Sequence, residues 1–511
     1  MEKLISTHFI HSIQKANNSL LFVFICVVTA FLFSYPVLIN LAPQTLHLWR
    51  QSDCLAFALN YYEGQSFFQP RVYNYLNDNG LCAGECPLIY FVVGKIWQIT
   101  GVQYWIFRAI QLCIFYAGAW ALFNLSAGIT KSRSGAFFIL INYLSAPLVM
   151  VYAPGYLADV PSLSFTWLGL WSLYLYQQKN GTFLLISTSL FFLIAMLLKA
   201  NAMFLPIAIV LAMLLTWLKI TKGNTLLKFD YKIIIALCVA IFLQYQWYAW
   251  VITYTTMHHS AFLGTGTWPG WPIWEASAVN ISNTFKMLLS YSKDIFSFIN
   301  LFIIFIGLFI VAKSFKKRDA FCWLIMAYLG AVVCFLAYFF VGFKDNNYYF
   351  VNLYVLPFLI LIYLVYVNSK HFDNKGIQIL MVLMVVFNLG YAYSRMQVYF
   401  YDGKQHQKLS EVYYKPEFRN FIDKHIPLKA QVISFPDETP NATLSIIQRH
   451  GVSQYGFREG KINQEDMEMM INRGFQYYLC NNNFSLTDSN LTPHLGGLVA
   501  QIKTLSLYKL K

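Results

Sequence analysis

Long apolar runs joined by short polar connections dominate the first four-fifths of the chain. Runs of the length needed to cross the hydrocarbon core of a bilayer fall at 20–41, 104–127, 135–153, 161–177, 182–198, 202–218, 232–254, 294–312, 320–342, 350–368 and 376–396. They predict an all-α polytopic membrane bundle of about eleven transmembrane helices. The stretch 87–100 is apolar too, but it is shorter and carries Lys95, so it predicts an interfacial helix. From about residue 400 the pattern turns polar. Helix signals at Pro416–His425 and 463–473, with strand-like runs at Gln431–Phe435, 477–479 and 504–508, predict a small α/β domain over 401–511, beyond a membrane domain over 1–400.

Composition agrees: 58% of the 511 residues are hydrophobic and 12% charged, where a soluble chain carries roughly 25%. The net charge of +14 would suggest a nucleic-acid partner in a soluble protein, but no basic helix with interleaved aromatics lies outside the apolar runs. Cytoplasmic connections collect Lys and Arg, and a cytoplasmic N-terminus places Lys131 and Arg133, Lys219 to Lys232, the cluster Lys313 to Arg318, and Lys370 and Lys375 inside. Counting 87–100 as a span would invert that cluster. The arrangement puts the 42–103 loop, the 155–161 turn, the 255–293 loop and everything after about 397 on the extracytoplasmic side. The first apolar run lacks a small-residue cleavage site and reads as an uncleaved anchor.

Candidate chemistry concentrates in the loop between His47 and Tyr90, which carries Arg50, Asp53, Glu63, Arg71, Asp78 and Glu85. Long loops in compact proteins are more often functional than idle, and ionisable groups beside a bilayer are site candidates. Leu55, Ala58, Leu59 and Tyr62 are spaced for an amphipathic helix on the membrane surface. Arg50 and Asp53 share a face of it, either as a solvated ion pair or as a carboxylate at the rim of a cavity, able to take a proton from a hydroxyl. Glu85 precedes Pro87, and Asp159 lies in the turn before Pro161. Each could simply answer a helix dipole, but that explains poorly why three carboxylates occupy three loop positions on one side. Cations accompany them there. Lys199 ends an apolar run, where snorkelling is the plain alternative, and Lys344 precedes Tyr348 and Tyr349 in a Tyr-rich stretch. His258 and His259, in a Gly- and Trp-rich loop, read as surface groups or as part of an acceptor or sugar loop.

Nine cysteines are scattered. Cys54, Cys82 and Cys86 fall in the charged loop, where a disulfide is open if that loop is extracytoplasmic. No His sits at zinc-ligand spacing nearby. The C-terminal segment holds no nucleophile elbow, phosphate loop or metal signature, so it reads as a lid or docking module. The triplet 441–443 (Asn-Ala-Thr) is of a kind that occurs by chance.

Taken together, WRQSD in a long first loop, Glu85 and Pro87 followed by Gly101 and Arg108, Asp159 before Pro161, Lys199 ending LLK and the Tyr-rich start of a late span resemble the polyprenyl-phosphate-sugar glycosyltransferases of the GT-C fold. That group includes protein O-mannosyltransferases and lipid A aminoarabinose transferases. The resemblance implies Asp53, Glu85 and Asp159 as catalytic carboxylates, with Arg50, Lys199, Tyr348 and Tyr349 at the donor phosphate. It also implies inverting transfer from an undecaprenyl or dolichyl phosphate sugar to a hydroxyl of a protein, lipid or glycan. Asp53 would be the base, and a bacterial inner membrane the setting. No cofactor is implied and no metal is demanded, because the leaving group is already a lipid monophosphate, although three carboxylates could hold a divalent ion. The sequence departs from the group at Cys54, where the usual acidic pair has its second acid, and at Cys86, where a Lys is usual. The rival reading is a transporter or flippase for a lipid-linked or anionic substrate. It expects charges in mid-span and a repeated hydropathy pattern; here the charges gather at span ends and no repeat is evident.

Overall fold

All of these apolar runs are helical in the computed structural model, which describes residues 18–511 apart from 45, 77, 225, 261–270, 401–410, 456, 458–461 and 482–491. Among the described residues, 7 helices are long and apolar enough to cross a membrane: Tyr104–Thr130, Ala200–Trp217, Tyr231–Met257, Phe298–Lys317, Ala320–Tyr338, Asn347–Val367 and Lys375–Phe400. The protein is therefore a multi-pass membrane protein. The other predicted spans are shorter, broken or more polar. Asn18–Leu32 and Thr182–Leu198 are shorter apolar helices. The first run breaks at Ser34, whose φ of 58° is left-handed, before Pro36 restarts a turn at Tyr35–Leu38. The run 135–153 splits into Arg133–Tyr143 and Pro147–Tyr152. Pro147 has no N–H to continue a helix and holds Ala146 extended. Asp159–Lys179 carries Ser, Thr and Gln along its length.

The basic connections meet at one end of the bundle. Lys222 pairs through its backbone with Arg318 and Ala320, Ser134 reaches the Phe372 carbonyl, and Gln177 reaches that of Lys228. At the other end the charged loop meets the ends of the neighbouring helices: the Cys86 N–H donates to Leu197 O and the Trp247 indole to Gly84 O.

Two expectations change here. The segment 255–293 is not all loop: it contains the helix Ala278–Ile295, started by a Ser277 cap and separated from the next helix by a Ser297 cap. And the helix Leu48–Tyr62 is not a surface helix with one solvated face, since every residue from Arg50 to Tyr61 is buried. Its apolar stripe was legible from the sequence. What covers its remaining faces comes from far along the chain: the helix Leu88–Thr100 and the C-terminal domain, whose Phe418, Ile422, Leu444 and Ile447 share one apolar core with Leu55, Leu59 and Tyr61.

That domain is a five-stranded sheet with helices packed on it. In chain order the strands are β1 (Gln431–Phe435), β2 (Gly451–Ser453), β3 (Phe475–Asn481), β4 (Leu495–Ile502) and β5 (Leu505–Leu510), arranged β2-β1-β3-β5-β4. The β1 pairings are parallel and those of β5 antiparallel. The first loop extends the open edge at β2. Tyr75 N–H donates to Gly451 O (2.6 Å) and Gly451 N–H to Tyr73 O (3.0 Å), so backbone hydrogen bonds as well as apolar packing join this domain to the charged loop.

Candidate functional site

The helix Leu48–Tyr62 presents Arg50 and Asp53 one turn apart, at the end of the bundle away from the basic connections. Both are buried, at 4% exposure each. The Arg50 guanidinium forms an ion pair through Nη2 with Glu85, while its Nη1 stands 3.8 Å from Asp53 Oδ2 and makes no hydrogen bond to the described residues. Glu85 Oε1 also accepts from the Tyr90 hydroxyl (3.1 Å), which lies within reach of the Cys54 sulfur as well. Burial alone would raise the Glu85 carboxyl. Arg50, followed by Lys199, overcomes that and holds it below the usual carboxylate range.

Asp53 behaves differently. Burial dominates, Arg50 and a hydrogen bond from Asn441 offset it only in part, and Glu85 and Asp437 add repulsion; the carboxyl is pushed up to about 7. Its hydrogen-bond donor comes from the C-terminal domain: Asn441 Nδ2 donates to Asp53 Oδ1 at 2.7 Å. The sequence reading treated this domain as a module without chemistry and missed Asn441. It is a neutral residue 388 positions away, marked only by an Asn-Ala-Thr triplet of a kind that occurs by chance. Thr443 of the same triplet is buried too and bonded to Asp437.

The second pair follows from a helical hairpin. Asp159–Lys179 and Thr182–Leu198 run antiparallel, so Asp159 in the first turn of one faces Lys199 at the C-terminal end of the other, and both charges suit the local helix dipole. Lys199 Nζ lies 2.8 Å from Asp159 Oδ1 and 4.9 Å from the ring centroids of both Tyr348 and Tyr349. The Tyr348 ring packs on His47 at 5.0 Å, and His47 and the Tyr152 hydroxyl both bond Asn347 Oδ1 (3.0 and 2.5 Å). Because the Lys199 charge also reaches Glu85, the two ion pairs form one cluster. His47, Tyr152 and Asn347 are the polar supports that sequence reasoning passed over.

Other residues fall elsewhere. His258 ends the helix Tyr231–Met257 with its ring 4.6 Å from that of Tyr254, and His259 follows it; most of the Gly- and Trp-rich part of that loop, 261–270, lies outside the described residues. Arg108 is a structural clamp. It donates to the carbonyls of Leu41, Ala42 and Pro154 and lies over the Tyr156 ring at 4.5 Å. Cys54, Cys82 and Cys86 are free and buried, not joined in a disulfide. Lys344 offers its carbonyl to the Tyr291 hydroxyl. Among the described residues no group of three or more His, Cys, Asp or Glu side chains is arranged to hold a metal.

No family model matches the sequence, and no curated protein does. Solved structures match the fold. ArnT from Cupriavidus metallidurans in the apo state superposes with a TM-score of 0.60 at 12% identity, over 97% of this chain and 98% of that one. The same protein bound to undecaprenyl phosphate gives 0.60 at 11% identity, over 96% and 97%. An oligosaccharyltransferase from Archaeoglobus fulgidus in complex with Zn and sulfate gives 0.53 at 11% identity, over 93% of this chain and 71% of that one. At these identities the likeness is one of fold, and it is the GT-C fold that the sequence resemblance implied.

Proposed function

We propose that this chain is a membrane glycosyltransferase that moves a sugar from a polyprenyl phosphate to a hydroxyl of a protein, lipid or glycan on the extracytoplasmic face, with inversion at the anomeric carbon. The observation that carries the reading is the convergence of Arg50, Asp53 and Glu85, from the first loop, with Asp159 and Lys199, from the ends of a helical hairpin, at the bundle end opposite the basic connections. The fold shared with a protein that binds undecaprenyl phosphate supports it. In this reading all the predicted spans cross or enter the membrane, the basic connections and N-terminus face the cytoplasm, and the setting is a bacterial inner membrane.

Asp53 is the base. A carboxylate whose proton affinity is tuned to near neutrality takes a proton from an acceptor hydroxyl far better than an ordinary one. The hydroxyl oxygen attacks the anomeric carbon as the bond to the lipid phosphate breaks, and the phosphate leaves with its electron pair. Arg50 and Lys199 hold the departing phosphate by preorganised charge. Both have donors to offer: Arg50 Nη1 is buried without a hydrogen bond to the described residues, and only one of the three N–H donors of Lys199 is needed for Asp159. Glu85 and Asp159 orient these two cations, and Tyr348 and Tyr349 wall the Lys199 side. His258 and His259 border the acceptor loop. With the cations already engaging the carboxylates, the transfer does not require a metal, although the carboxylates could hold a divalent ion.

The test is transfer by the full-length protein in nanodiscs, using a panel of radiolabelled undecaprenyl-phosphate sugars with envelope extract as acceptor. Label should move to the acceptor with the parent chain and not with Asp53→Asn. Equal transfer by both would end the base assignment. In sealed vesicles carrying the same protein, uptake of label without a new glycosidic product would favour transport.

A further inference from the structure

Asp53 lies on the membrane-side helix, yet its hydrogen bond comes from the C-terminal domain. Asn441 is fully buried, and its amide can face only one way. Its Oδ1 accepts from the Asn74 backbone N–H at 3.0 Å, which leaves Nδ2 to donate to Asp53 Oδ1 at 2.7 Å. The turn around Asn441 is held rigid by Asp437. One oxygen of that carboxylate accepts from the Thr439 N–H and hydroxyl, the other from the Thr443 N–H and hydroxyl. Asn74, in turn, is fastened to the same domain by its side chain on Pro440 O and Ser453, and by the backbone pairing of Tyr73 and Tyr75 with Gly451. The second oxygen of Asp53 remains 3.8 Å from Arg50, too far for a hydrogen bond.

We propose that Asn441 is a positioning residue that fixes the Asp53 carboxylate through one oxygen and leaves the other to the acceptor hydroxyl, so that the base is competent only with the C-terminal domain docked on the first loop. The proposal rests on the reading of Asp53 as base and gives the domain a part in the chemistry.

Asp53 is faced by Arg50 and Cys54 from its own helix, by Cys82 and Glu85 from the first loop, and by Asp437 and Tyr455 from the C-terminal domain. Arg50 and the Asn441 amide are the groups that favour its charged form. Removing the amide therefore makes Asp53 harder to ionise, and replacing it with a carboxylate more so.

The test is an infrared titration of the full-length protein in nanodiscs, with the Asp53 carbonyl band identified by its loss in Asp53→Asn. Asn441→Ala should move the half-protonation pH of that band upward by about one unit or more, the size expected for a lost hydrogen bond to a charged group. Asn441→Asp should move it further; because it keeps the shape and the Asn74 contact, it gives a result even where Asn441→Ala unfolds the domain. The acid limb of the transfer rate should move in parallel. An unmoved band in Asn441→Asp overturns the positioning role and leaves the base assignment standing. A moved band with an unaltered transfer profile overturns the base assignment instead.

Discussion

Lys199→Met tests whether the Lys199–Asp159 pair is held by charge in a poorly solvated site. The side chains are 12% and 3% exposed and the charged atoms 2.8 Å apart. At an effective dielectric of about 20 that separation corresponds to an attraction of about 6 kcal/mol, against which the desolvation of both ions must be set. Removing one partner of such a pair costs about 3–5 kcal/mol, because the other charge is left buried and alone. The two single variants should differ. Without Asp159, Lys199 still faces the rings of Tyr348 and Tyr349, each contributing about 0.5–2 kcal/mol; without Lys199, Asp159 has no comparable support. Lys199→Met should therefore be the less stable single variant, Asp159→Asn intermediate, and the double variant more stable than Lys199→Met. Thermal unfolding of the purified chain in detergent, followed by size-exclusion recovery, reads this order. In the double variant the fold should return and sugar transfer should not, since the phosphate has lost its ammonium. A double variant no more stable than Lys199→Met, or a neutral Lys199→Met, would refute the reasoning.

Arg50→Lys keeps the charge but loses the planar fork that engages Glu85 through Nη2 while leaving Nη1 for the phosphate, so transfer should fall by about ten- to a hundredfold, the loss of roughly 1.4–2.7 kcal/mol, with a smaller change in melting temperature. Because Asp53 is pushed up to about 7, the pH–rate profile should rise as pH passes through about 7. The folded chain keeps on Asp53 a proton that the unfolded chain releases between about 4 and 7. This group's contribution to stability is therefore full below that window and lost as pH rises through it, and Asp53→Asn should flatten that part of a melting-temperature profile. Gly451→Ala would bring a Cβ to within 1.8 Å of Val432 O; the resulting strain, about 1–3 kcal/mol or more, should loosen the sheet edge that receives the first loop. Melting temperature and transfer should fall together there.

How far the site could be read from the sequence depended on what carries each contact. The membrane helices were legible because length and apolarity suffice to mark them; their breaks at Ser34 and Pro147 were hidden inside unbroken apolar runs. Asp159 and Lys199 were legible as a pair in principle, since a hairpin of consecutive spans returns an early acid and a late base to the same membrane face. In the C-terminal domain β1, β3 and β5 overlap the strand-like runs of the sequence, whereas β2 has three residues and β4 contains Gly496 and Gly497, which dilute any strand signal. The burial of Arg50 and Asp53 was not legible, because the covering surface comes from residues hundreds of positions later. Asn441 was the hardest to see, a neutral amide whose importance lies in its partner.

The central claim is that the buried cations form a seat for a lipid-linked phosphate. A cryo-EM structure of the full-length chain with undecaprenyl phosphate tests it most directly. The account predicts the phosphate in contact with Arg50 Nη1 and the Lys199 ammonium, with the prenyl tail along the lipid-facing helices. A phosphate bound at the end of the basic connections, with Arg50 and Lys199 still engaged only by Glu85 and Asp159, would contradict it.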